Sequence, residues 1–250
     1  MFSAVKDAIG NYLASYLSKT LPGYRRLDTV SIDKIAAVLM PGDIILVEGN
    51  TRISIAIKYL TQSSWSHSAL YVGKQGDDVD QPTLLEADLQ NGVRLVPLSH
   101  YADFNLRICR PVELSDKDKA DLIEFAKTKI GHKYDLKNVL DLVRYLIQKP
   151  AVPNQLRRSM IGLGSGEPTR AICSTLIAES FQSINYPILP VHGADLGHGG
   201  EVPQYYRRHF THFTPRDFDL SPYFRVIKPT LEEGFDYHQL RWKEALDDAE

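Results

Sequence analysis

A series of short apolar runs separated by turn residues occupies the first half of the chain and restricts the fold more than any other feature. The runs have the length of strands and lie at residues 44–47, 67–72, 83–88, 93–97 and 106–112. Gly, Asp and Asn cluster between them, and Asn91-Gly92 is typical of a hairpin turn. Helical periodicity follows at 115–131, 136–147 and 172–184. Strands followed by helices predict an α+β domain in which an antiparallel sheet packs against helices.

Size, charge and cysteine content exclude several classes of function. The chain has 250 residues, 43% of them hydrophobic, which is enough for one sizeable core. Its 29 basic and 31 acidic residues give a formal net charge of -2, so we expect no nucleic-acid partner. The two cysteines, Cys109 and Cys173, form neither a disulfide framework nor a zinc-ligand pattern. The sequence shows no secretory signal and no apolar stretch of membrane length, so we expect a cytoplasmic protein.

Residues 1–20 follow the pattern of an amphipathic helix. Apolar side chains recur on one stripe, and Pro22-Gly23 ends the pattern. A helix of this kind either packs on its own domain or makes a peripheral contact with a membrane or a partner protein. Both interpretations stay open.

Cys173 is the candidate nucleophile. It lies at the start of the helical pattern ICSTLIAESFQSI. A thiol in the first turn of a helix lies near unpaired amide groups and the positive end of the helix dipole, which lower its pKa and favour the thiolate. The same amides can stabilise an oxyanion. A small buried core residue is the alternative interpretation, and Cys173 alone does not decide between the two.

His67 and Glu86 are the candidate partners of that thiol. His67 opens the strand HSALYV, so we expect its ring at a strand end, where a general base can reach a nucleophile. Glu86 interrupts the apolar run LLEA, and a buried carboxylate there needs a partner. A histidine is such a partner, and the carboxylate then orients the imidazole. The three residues meet if the Cys173 helix packs on the sheet that carries the other two.

Five short motifs in a fixed order give the chain a resemblance to a known family. They are PGDII from residue 41, SHSALYVG from 66, LEA from 85 with GV at 92, GHKYD from 131, and CSTL from 173. The series resembles the circularly permuted NlpC/P60 papain-like hydrolases of the YiiX/YaeF type. It covers residues 40–228, which we take as the catalytic domain, between a helical extension at 1–39 and a helical tail at 229–250. A more distant similarity is to lecithin:retinol acyltransferase-like proteins, which act on lipid acyl chains.

The resemblance implies a fold and an active site. The fold is a papain-like one of permuted topology, in which an antiparallel sheet or barrel carries the histidine and precedes the cysteine helix in the chain. The site is a thiol nucleophile, Cys173, with His67 as base and Glu86 as the orienting residue. No cofactor is implied.

Three more residues are expected to contact substrate. They are Tyr134 in the GHKYD motif, Ser66 before the histidine and Ser174 after the cysteine. Two histidine pairs late in the sequence lack the acidic or cysteine ligands of an established pattern, so we expect no metal site. Residues 149–170, rich in Pro, Gly, Arg and Ser, are predicted to form a long loop or lid.

Two classes of function are compatible with these residues. A Cys–His pair attacks an acyl carbon and passes through an acyl-thioester, so small acyl, peptide and lipid-like substrates all fit. The acyl group then goes to water in a hydrolase, or to another acceptor in a lipid acyltransferase. The second class is a catalytically silent module that binds a lipid or a partner protein. The complete Cys-His-Glu set favours the enzyme.

Overall fold

An antiparallel sheet of six strands forms the centre of the protein. The computed structural model describes residues 15–24, 26, 30–74, 81–88, 91–132, 172–192 and 205–229. The strands of the large sheet are β1 (Ile44–Val47), β2 (His67–Lys74), β3 (Pro82–Asp88), β4 (Gly92–Pro97), β5 (Leu106–Pro111) and β8 (Phe224–Ile227). They lie in the order β4-β3-β2-β1-β5-β8, and every neighbouring pair is antiparallel. Two short strands, β6 (Val191–His192) and β7 (Tyr205–Tyr206), pair separately.

Helices cover or border this sheet. They are α1 (Ile32–Val38), α2 (Arg52–Thr61), α3 (Asp116–Thr128), α4 (Ile172–Ser183) and α5 (Pro215–Leu220), with 3-10 turns at Leu98–Tyr101 and Phe210–His212. Side-chain oxygens of Ser31, Thr51 and Ser115 accept backbone N–H groups at the starts of α1, α2 and α3. No helix in these described ranges is long and apolar enough to cross a membrane.

The alternation of side chains along the strands creates two apolar cores. Ile44 and Leu46 of β1 contribute to the core that also contains Leu176 of α4. Ile45 and Val47 contribute to the second core. Further members of the first core are Leu122 of α3, Phe181 of α4 and Phe218 of α5, and further members of the second are Ile35 of α1, Leu98 and Tyr101. The sheet is therefore buried on both faces, which explains why β1 reads as an unbroken apolar run.

The turn before β1 depends on one glycine and one buried carboxylate. Gly42 has a φ of +94°, a left-handed conformation that glycine adopts without strain. The Asp43 carboxylate, 1% exposed, accepts from Arg110 of β5 at 2.8 and 2.7 Å and from the Met40 N–H at 2.8 Å. This paired carboxylate ties the PGD motif to the sheet.

Most predicted elements agree with the structure to within two residues, and the α+β class is confirmed. Helix α2 was not predicted, because Ile53, Ile55 and Ile57 repeat every second residue as in a strand. The side chains that α2 buries are small ones, Ser54 and Ala56. The predicted helix at 136–147, the loop at 149–170, the tail at 229–250 and most of the helix at 1–20 lie outside the described residues.

Candidate active site

His67 and Glu86 lie side by side on β2 and β3. β2 begins at His67, so the ring lies at the end of the strand, with 21% of the side chain exposed. His67 Nε2 is 2.8 Å from Glu86 Oε2. This contact engages one ring nitrogen and leaves Nδ1 for another partner.

Glu86 is a buried carboxylate with three donors. The residue is 2% exposed, and besides His67 it accepts from the Tyr101 hydroxyl. Arg94 of β4 lies across from it in the β3–β4 register, with its Nε 3.1 Å and a terminal nitrogen 2.9 Å from Oε1. Burial alone raises the pKa of Glu86, but His67, Tyr101 and Arg94 outweigh burial and lower it to about 2. The carboxylate is therefore charged at neutral pH.

Helix α4 places Cys173 against His67. The helix packs on the sheet through Leu176 and Ile177, and Cys173 is its second residue. The Cys173 side chain is 5% exposed, is hydrogen-bonded with His67, and faces the N–H and hydroxyl of Ser68. The first amides of a helix have no acceptor within the helix, so they remain available to a ligand at this end.

The pKa values of the two residues move in opposite directions. Burial raises the pKa of the Cys173 thiol, but His67 and Ser68 outweigh it and hold the pKa below that of an ordinary thiol. Burial lowers the pKa of His67, but the thiolate of Cys173 and the carboxylate of Glu86 outweigh it and raise the pKa to about 10. Both directions favour a thiolate–imidazolium ion pair, with the Glu86 carboxylate against the imidazole.

The structure brings together Cys173, His67 and Glu86, the three residues singled out for catalysis. Two of the predicted substrate-contact residues have partners inside the fold. Ser66 is 2% exposed and accepts the Gly49 N–H at 2.9 Å, and Ser174 is fully buried and donates to the Phe213 carbonyl at 2.7 Å. Both hydroxyls are bonded inside the fold in this structure, and their contact with substrate stays a prediction. Tyr134 lies outside the described residues.

Sequence reasoning missed Tyr101 and Arg94. The one signal for Arg94 was a charged residue in each of two consecutive strands, since a two-residue turn at Asn91-Gly92 would pair residue 86 with residue 97 and the observed register pairs it with 94. Tyr101 gave no such signal, since it reaches Glu86 from a 3-10 turn beyond the end of β4. Both residues supply donors that keep Glu86 ionised.

Potential metal ligands are not clustered among the side chains whose positions are described. Groups of three or more His, Cys, Asp or Glu side chains that could hold an ion are absent from those ranges. The acidic and imidazole groups at the site are instead bonded to each other.

Comparison with known proteins gives one family. Residues 38–145 match the model of a family described as permuted papain-like amidase enzymes, YaeF/YiiX, the C92 family. The matched stretch contains His67 and Glu86 and ends before Cys173. No curated protein matches the sequence. One similar solved structure is that of the metalloprotein yiiX from Escherichia coli O157:H7, DUF1105, with 17% identity, a TM-score of 0.47, and coverage of 76% of this chain and 96% of that chain.

The family match agrees with the motif series and with the antiparallel sheet packed on the cysteine helix. The resemblance to permuted papain-like enzymes is thereby confirmed, whereas the similarity to lecithin:retinol acyltransferase-like proteins and to the wider NlpC/P60 group stays a prediction. Over residues 38–145 the sequence is therefore similar to the permuted papain-like amidases of the YaeF/YiiX type, a family of hydrolases.

Proposed function

We propose that the protein hydrolyses an acyl bond in a small peptide or lipid-like substrate through an acyl-thioester on Cys173. His67 is the acid and base of this mechanism, and Glu86 orients it. The observation that carries the proposal is the continuous contact from Cys173 through His67 to Glu86, with a histidine pKa of about 10 beside a lowered thiol pKa. An amide is the first substrate class to test because the matching family is one of amidases.

Acylation begins from the ion pair. The Cys173 thiolate attacks the carbonyl carbon, and the carbonyl oxygen takes the negative charge. Unpaired amides at the start of α4 are suited to donate to that oxyanion. When the tetrahedral centre collapses, the His67 imidazolium gives its proton to the leaving nitrogen or oxygen. The product remaining on the protein is a thioester with neutral imidazole beside it.

Deacylation reverses the direction of proton transfer. Neutral His67 takes a proton from water as the water oxygen attacks the thioester carbon. Collapse of the second tetrahedral centre expels the thiolate and releases a carboxylic acid. The ion pair is then restored, so one water is consumed in each cycle.

Glu86 fixes the geometry of these transfers without taking the proton. It holds Nε2 at 2.8 Å, which keeps the other ring nitrogen directed to the sulfur. Its low pKa, about 2, means that it stays anionic while the imidazole cycles between charged and neutral forms. The anion stabilises the imidazolium and so keeps the resting pair ionised.

The first experiment measures alkylation of Cys173 by iodoacetamide against pH, with peptide mass spectrometry. Cys109 in the same molecule is the control, because burial raises its pKa to about 12. We expect fast labelling of Cys173 well below the usual thiol pKa of about 8.5, and slow labelling in His67→Ala. If Cys173 labels as an ordinary thiol in both proteins, the proposed mechanism is wrong.

A second experiment tests whether the thiolate acts on acyl groups. Incubation with a nitrophenyl ester should give an acyl adduct on Cys173 that is visible in the intact mass, and Cys173→Ala should give none. Adding an amine or alcohol distinguishes hydrolysis from transfer, because an acyltransferase diverts the acyl group into a new amide or ester. A wild-type protein that never acylates would point to the silent binding module.

A further inference from the structure

Ser68 is a polar residue on an apolar face of the sheet. It follows His67 on β2 and lies opposite Leu46 of β1 in the register. Its residue is fully buried. Strand alternation places it with Leu46 and Leu70, which belong to the core that receives helix α4. A serine at this place lies between the sheet and the helix of the nucleophile.

The Ser68 hydroxyl has no hydrogen-bond partner of ordinary geometry in the described part of the chain. Buried hydroxyls almost always have one, and an exception at a reactive centre calls for an explanation. The group that the hydroxyl and the backbone N–H of Ser68 face is the sulfur of Cys173. Ser68 thus differs from Ser180, also fully buried, whose hydroxyl donates to the Leu176 carbonyl at 2.8 Å.

We propose that Ser68 is a second hydrogen-bond donor to the nucleophile, acting beside His67 through its hydroxyl. This inference rests on the proposed function, since it assigns a role at the same sulfur. A thiolate accepts hydrogen bonds more strongly than a neutral thiol or a thioester, so the hydroxyl favours the resting ion pair. It loses this charged partner when the sulfur becomes acylated, and regains it when the carboxylic acid leaves.

The test compares alkylation rates of Cys173 against pH in Ser68→Ala and the wild type. Where the wild-type thiolate is partly protonated, we expect Ser68→Ala to label about three- to tenfold more slowly, because one charge-assisted hydrogen bond is lost. Where the thiolate is fully formed, we expect labelling to be unchanged or up to about threefold faster, since a less stabilised thiolate is more nucleophilic. A general packing defect does not produce this crossing of the two profiles.

Ser180→Ala is the matched control. It removes a hydroxyl from an equally buried serine on the helix of the nucleophile, and should leave the profile unchanged. If Ser68→Ala fails to fold, the variants Ser68→Thr and Ser68→Val take its place in the same test. Threonine and valine have the same shape, so any strain is shared and only threonine keeps the donor. We expect the threonine variant to label faster than the valine variant at low pH.

The outcomes separate this inference from the proposed function. If His67→Ala slows labelling while Ser68→Ala and the threonine–valine pair show no difference, the role of Ser68 is wrong and the ion pair stands. Equal slowing in Ser180→Ala would also overturn it. If His67→Ala leaves labelling unchanged, the proposed function itself fails.

Discussion

The two cysteines are both buried, yet their surroundings act on them in opposite ways. Cys109 lies within β5 at 0% exposure, where burial, and next the charge of Asp219, raise its pKa to about 12. Cys173 lies in the first turn of α4 at 5% exposure, where His67 outweighs burial and lowers the pKa. Burial therefore does not decide the reactivity of a thiol. A cationic partner at hydrogen-bond distance does.

The largest expected effect on activity is that of Cys173→Ala, and Cys109→Ala is its matched comparison. Cys173→Ala should lower kcat/KM by about 10³-fold or more, because the acyl-thioester can no longer form. Cys109→Ala should leave kcat/KM within about twofold and instead destabilise the fold by about 1 kcal/mol, the cost of a small cavity in the core. Steady-state kinetics and urea unfolding measure the two effects. Loss of activity in Cys109→Ala at unchanged stability would contradict the purely structural role of Cys109.

Glu86→Gln should reduce activity less than His67→Ala. The amide keeps the shape of the carboxylate but removes the charge that stabilises the imidazolium, so we expect a loss of about 10- to 100-fold in kcat/KM. The pKa of His67 should fall, and the labelling profile of Cys173 should move toward that of Cys109. A variant with wild-type kcat/KM and an unchanged profile shows that Glu86 does not orient the ring.

The pH dependence sharpens the comparison further. The pKa of His67 rises from 6.5 to about 10 on folding, so its stabilising contribution is complete below pH 6.5 and is lost as pH rises through 10. The pKa of Glu86 falls from 4.5 to about 2, so its contribution is present above pH 4.5 and is lost as pH falls through 2. Activity should fall about tenfold per pH unit above pH 10, where His67 loses its proton. A decline centred near pH 7 instead would contradict the ion pair.

The smallest expected effect on activity is that of Tyr101→Phe. The change keeps the buried ring but removes one donor to a charged carboxylate, so we expect a loss of about 1.5–3 kcal/mol in unfolding free energy. The kcat/KM should fall only a few-fold, since His67 and Arg94 still hold Glu86. Tyr186→Phe is the control, because its hydroxyl donates to the Val112 and Tyr223 carbonyls away from the site. Equal losses of activity in both variants would show that Tyr101 has no special role in supporting Glu86.

Local patterns made much of this molecule predictable. The apolar run at Ile44–Val47 and the helix of Cys173 have lengths and boundaries that single-sequence periodicity captures. The resemblance of the motif series to a permuted papain-like family predicted that His67, Glu86 and Cys173 meet. Helix α2 was not predicted because its isoleucines alternate as in a strand. The helix is favoured instead by the Thr51 cap and by the small buried side chains of Ser54 and Ala56.

Contacts between distant segments set the limit of prediction. Ser66 and Ser174 flank the two reactive residues in sequence, yet each is bonded to backbone inside the fold. Ser68, with the same residue type and neighbouring position, faces the sulfur instead. Strand alternation and the docking of α4 decide which serine meets the nucleophile, and both depend on the assembled sheet.

The order of elements along the chain has a consequence for synthesis. His67 and Glu86 belong to strands that leave the ribosome before α4 exists, and 87 residues separate Glu86 from Cys173. At translation rates of about 5–20 residues per second, that interval lasts about 4–17 s. During it the growing polypeptide contains the histidine and the glutamate but not the cysteine. Cys173 gains the partner that lowers its pKa only when the later helix docks on the sheet, so until then we expect an ordinary thiol that is slow to be acylated or oxidised.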